Sequence, residues 1–181
     1  MIIRAAEPGD AAALAAIYGH AVLEGFGTFE ETPPSPAEME ARRAAVAARG
    51  LPYLVAEADG QVLGFAYAAP FRTREAYRFT LEDSVYVAPD AVGRGVGRAV
   101  LRAVVAACEA LGVRQLVAVI GDSGNAASIG LHRSLGFAPA GVGRSFGFKH
   151  GRWVDVVWMQ KSINGGDEHP PDGPGVDLSG T

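Results

Sequence analysis

Thr80-Leu81-Glu82-Asp83-Ser84-Val85-Tyr86-Val87, followed after a short break by Gly93-Arg94-Gly95-Val96-Gly97-Arg98, decides how this chain is read. Thr80, Val85, Tyr86 and Val87 favour extended backbone, so the first run reads as a strand with an acid near its middle. Ala88-Pro89-Asp90 ends it, because proline has no N–H for a ladder. From Val96 the period becomes helical. Val100, Leu101, Val104, Val105, Cys108 and Leu111 recur at three- and four-residue steps, and Gly112 stops the run. Glycines therefore sit where a strand's end meets a helix's start. The first N–H groups of a helix lack internal partners and carry the positive end of its dipole, so the junction suits a phosphate or pyrophosphate. Arg94 and Arg98 add candidate charge-assisted contacts. On the glycines alone, a plain strand–helix turn explains the pattern as well.

At 181 residues the chain is long enough for one domain with a substantial core, and a hydrophobic content of 49% argues for a globular fold. The net charge of −4, with no basic block, argues against nucleic acid as partner. Cys108, the single cysteine, falls on the apolar helix face and reads as a buried small hydrophobe rather than a nucleophile. One cysteine and four scattered histidines make neither a disulfide framework nor a zinc-ligand cluster, so no metal is expected. No apolar run approaches the length of a membrane span, and the N-terminus lacks a charged-then-apolar signal pattern. The expectation is a cytoplasmic protein without membrane contact.

Outward from that centre, Met1 to Ala5 is a short strand candidate, and Pro8-Gly9-Asp10 opens a helix with Asp10 as N-cap. Leu14, Ile17, Tyr18 and Val22 share one face of it. Gly25 to Pro34 is a loop whose aromatics, Phe26 and Phe29, read first as anchors into the core. Ser35-Pro36 with Glu38 fits a serine N-cap, proline at N1 and an acid at N3 of a helix to about Arg49. Leu51–Ala58 and Gln61–Ala69 are β-rich runs joined by Asp59-Gly60, a strong hairpin signal. Gln115 to Ile120 is nearly all apolar, as a central strand is. Asn125 can cap a helix to Ser134 or Leu135, with Gly136 at its end. Phe137 to about Arg144 and Trp153 to Gln160 read as strands, with a turn over Gly147 to Gly151. From residue 163 to 181 the composition shifts to Gly, Pro, Asp and Ser, so the expected domain is 1–162 with a disordered tail. The sum is a mixed α/β sheet with helices on its faces.

Three segments now carry a resemblance. They are Leu81 to Val87, Val92 to Gly97, and Asn125-Ala126-Ala127-Ser128-Ile129-Gly130-Leu131-His132 through Gly136-Phe137. In this order and spacing they resemble the GNAT superfamily of acetyl-CoA-dependent N-acetyltransferases, within it the phosphinothricin and methionine sulfoximine acetyltransferase group. The likeness covers about residues 2 to 161, and Lys149-His150-Gly151-Arg152-Trp153-Val154-Asp155 extends it. Val92 departs from the glutamine or arginine frequent in the superfamily's phosphate loop. The resemblance implies a GNAT-like, mostly antiparallel sheet with helices on both faces, acetyl-CoA as cosubstrate and a homodimer.

It also implies roles. An amine must lose its proton before attacking a thioester, and its pKa lies at about 8 to 10, so a base is useful at neutral pH. The family's catalytic glutamate falls on Glu82. Asp83, its neighbour, faces the opposite side of the strand. By resemblance the backbone of Val85, Tyr86 and Val87 follows the pantetheine arm and polarises the acetyl carbonyl. Gly93, Arg94, Gly95, Val96, Gly97 and Arg98 hold the pyrophosphate. Asn125 bonds the pantetheine arm, caps its helix, or does both. His132 stands where many members have a tyrosine that protonates the leaving thiolate. It is open whether it acts in catalysis or is a packed helix histidine. For the acceptor, Arg72 suits a carboxylate or phosphinate, with Arg74, Tyr77 and Phe29 carried mainly by the resemblance. Solvated surface arginines are the alternative.

A small amino-acid analogue is the expected acceptor: phosphinothricin, methionine sulfoximine or methionine sulfone. A peptide or other amine is the alternative, and a non-catalytic acyl-CoA-binding module is a third reading that Glu82 speaks against. A Rossmann dehydrogenase is disfavoured, because its glycine motif follows the first strand, whereas here it comes midway.

Overall fold

A computed structural model of the protein describes residues 1–178. Seven strands form one sheet: β1 (Ile2–Ala5), β2 (Tyr53–Ala58), β3 (Gln61–Pro70), β4 (Thr80–Val87), β5 (Gln115–Gly121), β6 (Ala138–Lys149) and β7 (Arg152–Ser162). Their order is β1-β2-β3-β4-β5-β7-β6, and only β4 and β5 run parallel. A parallel pair needs a crossover, which α3 (Val96–Ala110) supplies. The other helices are α1 (Ala11–Glu24), α2 (Pro36–Ala48) and α4 (Ala126–Ser134).

The sheet separates two cores. On one face Leu14, Ile17, Tyr18 and Val22 of α1 and Met39 of α2 pack on Tyr53, Val55 and Phe65. On the other, Val100, Leu101, Val104, Val105 and Cys108 of α3 pack on Leu81, Leu116, Ala118 and Met159. Leu111, expected to continue the α3 stripe, is the residue after the helix and is exposed. Strand β4 alternates between the two cores. Leu81 and Val85 belong to the α3 side and Tyr86 to the α1 side.

Local signals placed several elements well. Ser35 Oγ accepts the Glu38 N–H at 3.2 Å, with Pro36 opening α2. Asp59 and Gly60 turn the β2–β3 hairpin with φ of +52° and +75°, the pair of left-handed residues a two-residue turn requires.

Others differ from expectation. Asp10 stands at the N-cap position of α1 as expected, but its side chain makes no capping bond there, and a single 3₁₀ turn over Pro8–Asp10 precedes the helix. Its carboxylate accepts the Glu7 N–H at 2.8 Å and two Arg4 bonds of 2.7 and 2.8 Å. Strand β6 runs on through Gly147 to Lys149, so the turn is only His150-Gly151. An irregularity between Gly143 and Gly147, with Ser145 at φ +55°, lets β6 bend and still pair with β7. Phe29 is 40% exposed, and Thr28 and Pro34 are the buried residues of its loop.

The expected boundary at residue 162 falls within a set of contacts. Ile163 is buried, and its N–H bonds Arg114 O at 3.0 Å. The Arg114 guanidinium, itself buried, donates to Gly166 O at 2.8 Å and His169 O at 2.7 Å. Val176 N donates to Arg78 O at 2.8 Å. A buried cation needs acceptors, and the tail's carbonyls supply them. Residues 179–181 of the expected tail lie outside the described residues.

Candidate active site

Strands β4 and β5 pair only from Thr80–Gln115 to Asp83–Ala118. Beyond that rung β4 runs to Val87 and β5 to Gly121 without pairing to each other. The sheet therefore parts, and the backbone of Ser84 to Val87 on that side has no strand beside it. A groove of about 640 Å³ fills the gap. Val85, Tyr86 and Val87 form one wall, and Ala118, Val119 and Ile120 the other.

At the mouth of the groove lies the glycine turn. Gly93 and Gly95 have φ of +80° and +79°, which only glycine adopts without strain. Gly95 immediately precedes α3, so the unpaired first N–H groups of that helix open toward the groove. Gly93, Gly95, Val96, Gly97 and Arg98 line it, as does Val92. Arg94 is exposed and is not part of the lining. Asn125 lines the far side. Its Oδ1 accepts Ser128 N–H at 3.1 Å and its amide donates to Gly121 O at 3.4 Å. The capping role expected of it is present, and it also reaches the groove.

Part of the wall had no sequence signal strong enough to find it. Gly25, Phe26 and Gly27 close one side. Their loop is fixed from beneath by Tyr18, whose hydroxyl lies 2.9 Å from Thr28 Oγ1 and donates to Glu30 at 2.8 Å. Lys149 Nζ, buried, donates to Thr28 O at 2.8 Å. Burial lowers the Lys149 pKa against the opposing pull of Glu31 and Glu30. Gly121 admits the loop, since a Cβ there would stand 1.9 Å from the Phe26 carbonyl oxygen.

The two candidate catalytic residues occupy opposite faces of β4. Glu82 lies at the rung before the strands part, on the α1 side with Ser84 and Tyr86. Burial pushes its carboxyl pKa up. The Arg72 charge opposes that and the Asp83 charge adds to it, leaving the value raised. It accepts no hydrogen bond among the described residues. His132 is buried on the α3 side and lines the groove together with Asp83. Its Nε2 lies 2.9 Å from Asp83 Oδ2 and its Nδ1 2.8 Å from Ser128 O.

Arg72 and Tyr77 each touch the Phe71 ring, in the connection that enters β4. The Arg72 guanidinium lies 4.1 Å above the Phe71 ring, and the Tyr77 ring meets Phe71 edge-on at 5.7 Å. Arg74 is exposed beside them, in the turn closed by Tyr77 N to Arg74 O at 2.9 Å. Phe29 comes from the other loop and stands over Gly147 of β6. Among the described residues, no group of three or more His, Cys, Asp and Glu side chains is placed to hold a metal ion. None of the helices there is long and apolar enough to cross a membrane.

A mostly antiparallel sheet that opens beside a glycine-bearing helix start defines an acetyltransferase of the GNAT type. The model of the acetyltransferase (GNAT) family matches residues 16–137, and the chain belongs to that family. It is 56% identical over 170 residues to the phosphinothricin N-acetyltransferase of Alcaligenes faecalis, covering 94% of this chain and 86% of the relative. It is 43% identical over 163 residues to the L-methionine sulfoximine/L-methionine sulfone acetyltransferase of Pseudomonas paraeruginosa, covering 90% and 94%. A crystal structure of a phosphinothricin acetyltransferase from Sinorhizobium meliloti, in complex with acetyl-CoA, superposes with a TM-score of 0.91 at 46% identity, covering 94% and 92% of the two chains.

Proposed function

We propose that the protein moves an acetyl group from acetyl-CoA to the amino group of a small amino-acid analogue of the phosphinothricin, methionine sulfoximine or methionine sulfone type. One observation carries the reading. Glu82, with its pKa raised by burial and no bond to hold it, sits one rung before the sheet parts, within the field of Arg72.

Acetyl-CoA, when bound, supplies an acetyl thioester. The residues that would hold it fit the groove: the glycine turn and the start of α3 for the pyrophosphate, with Arg98 beside them, and the open backbone of Val85 to Val87 and Asn125 for the arm. On the other face Glu82 takes the proton of the acceptor ammonium, directly or through water. A carboxylate with a raised pKa is a stronger base than a solvated one, so the raised value suits the role. Arg72 has N–H groups for a carboxylate or phosphinate, and Tyr77, Arg74 and Phe29 are the further candidates for holding the acceptor.

We assign this activity to residues 1–162 of a cytoplasmic protein with no nucleic-acid or membrane partner. We also propose a homodimer. The exposed aromatics Phe146, Phe148 and Trp153 on the β6–β7 hairpin support a covered face, and sedimentation as a monomer at micromolar concentration would remove that proposal.

Thiol release from acetyl-CoA, measured with the three analogues and a lysine peptide, tests the reading. Turnover of an analogue that collapses in Glu82→Ala supports substrate class and base together. Turnover of the peptide alone refutes the substrate class, and an analogue turned over equally by the variant refutes the base.

A further inference from the structure

We infer that Asp83 is a positioning residue for the transfer: it holds His132 as a doubly protonated imidazolium on the groove wall, a proton source for the departing thiolate. The inference rests on the acetyl-transfer reading and adds a residue to it.

The hydrogen bonds fix the protonation. Ser128 O, 2.8 Å from Nδ1, is a carbonyl and can only accept, so Nδ1 carries a hydrogen. Asp83 Oδ2, 2.9 Å from Nε2, belongs to a carboxylate, which also accepts, so Nε2 carries one too. Were the shared proton drawn onto Asp83, the pair would still hold one proton more than a neutral imidazole facing a carboxylate. Both side chains are shut from solvent, His132 at 3% and Asp83 at 0%. The Phe137 ring meets the imidazole edge-on at 5.1 Å and restrains its tilt.

The surroundings give Asp83 no other cation. Its Oδ1 has no hydrogen-bond partner among the described residues. Glu82, the next residue of β4, faces the other side of the sheet. Cys108 approaches from α3, and burial with the charges of Asp83 and Glu109 pushes its thiol up to about 12, so it stays neutral. Arg133, next to His132 on α4, is exposed. Burial pulls the His132 pKa down, but the bond and charge of Asp83, with the Ser128 carbonyl, outweigh it and raise the value.

The balance is complete within the reaction. A bond forms between acceptor nitrogen and acetyl carbon, the carbon–sulfur bond breaks, and its electron pair stays on sulfur. The acceptor ammonium gives up two protons in all: Glu82 passes the first to solvent before the attack and takes the second from nitrogen as the amide forms. The His132–Asp83 pair gives one proton to sulfur and regains one from solvent. Both N–H groups of the resting imidazolium are engaged. The Ser128 hydroxyl, 3.4 Å from Nδ1 and on the groove wall, is the nearest group to pass the proton outward.

The test is a nitrogen-15 NMR titration of the His132 ring in the ligand-free protein, with Asp83→Asn beside it. The expected spectrum shows both ring nitrogens protonated at pH 7, with a midpoint above the free value of about 6.5. In Asp83→Asn the midpoint falls from the wild-type one, because only the Ser128 carbonyl is left to oppose burial. The variant's kcat drops about 10²-fold with KM for acetyl-CoA little changed, and the alkaline limb of its pH profile moves to lower pH. A thioester with a more acidic thiol restores much of the loss. A neutral His132 in the wild type at pH 7 overturns the inference, as does an alkaline limb that Asp83→Asn leaves in place. Should that variant not fold, the wild-type spectrum decides alone. Failure of the acetyl-transfer reading is separate, since it shows as absent turnover while the titration still reads out.

Discussion

Replacing Gly121 by alanine puts a methyl group where the Phe26 carbonyl oxygen lies. The new Cβ would stand 1.9 Å from that oxygen and 3.0 Å from its carbon. Real Cβ contacts stay beyond 3.0 Å, so the loop or the end of β5 must yield by about 1.1 Å, the difference between 3.0 and 1.9. Backbone strain is not the cause, because Gly121 does not lie in the left-handed region. Nor can the loop drift away at no cost: Gly25 N is bonded to Ala21 O at 3.1 Å, and Thr28 is held by Tyr18 and Lys149. Overpacking of this kind costs about 1–3 kcal/mol of stability, which lowers Tm by several degrees without unfolding the domain. The same shift moves Phe26 and Gly27, which line the cofactor groove. A displacement of about 1 Å in a positioning element can cost ~10²-fold in rate, or about 2.7 kcal/mol. The expected result is kcat/KM for acetyl-CoA down about 10²-fold, with weaker CoA binding by calorimetry. Gly9→Ala, whose Cβ meets nothing within 4 Å, is the control and should behave as wild type. A Gly121→Ala protein with wild-type kinetics and CoA affinity would refute the reasoning about this wall.

Glu82→Gln should lower kcat by about 10²–10³ and leave CoA affinity intact. In the wild type, kcat/KM should fall as pH drops through a carboxyl pKa above the ordinary glutamate value, the sign a raised base requires. Tyr53 and Tyr18 predict opposite outcomes for one chemical change. The Tyr53 hydroxyl is buried without a partner among the described residues, so Tyr53→Phe should stabilise the fold and raise Tm, whereas Tyr18→Phe strips Thr28 and Glu30 of a shared bond and should destabilise it and lower Tm, each change in stability being roughly 1–3 kcal/mol. The backbone N–H of Ser145, then Ser123 and Arg144, hold Asp155 down to about 2. Its stabilisation is present above the unfolded value of about 3.9 and is lost as pH falls through the folded one. Tm of Asp155→Asn should therefore fall less between pH 5 and pH 2 than that of the wild type.

Where the sequence was legible, a short-range rule was enough. Ser35-Pro36, Asp59-Gly60 and the glycines before Val96 each act on neighbours within a few residues, and each stands where the pattern put it. Composition and spacing could not show that Asp10 turns to Arg4, because the preference for an acid at a helix start is the same whichever donor it finds. Gly147 reads as the start of a turn, yet pairing with β7 carries β6 past it to Lys149. The groove was half legible. Its glycine turn is local, but the wall of Gly25 to Gly27 depends on an approach to Gly121 from about half the chain away. Likewise the alternation of β4 correctly sends Glu82 and Asp83 to opposite faces, but says nothing of what waits for Asp83. His132 is 49 residues away.

The most direct test of the account is a competition. Phosphinothricin, methionine sulfoximine, methionine sulfone and a lysine peptide, at equal concentration in one tube with acetyl-CoA and enzyme, are separated and weighed by mass spectrometry. The account predicts N-acetylated amino-acid analogue as the main early product, and none of it with Glu82→Gln over the same interval. Acetylated peptide with untouched analogues would contradict it.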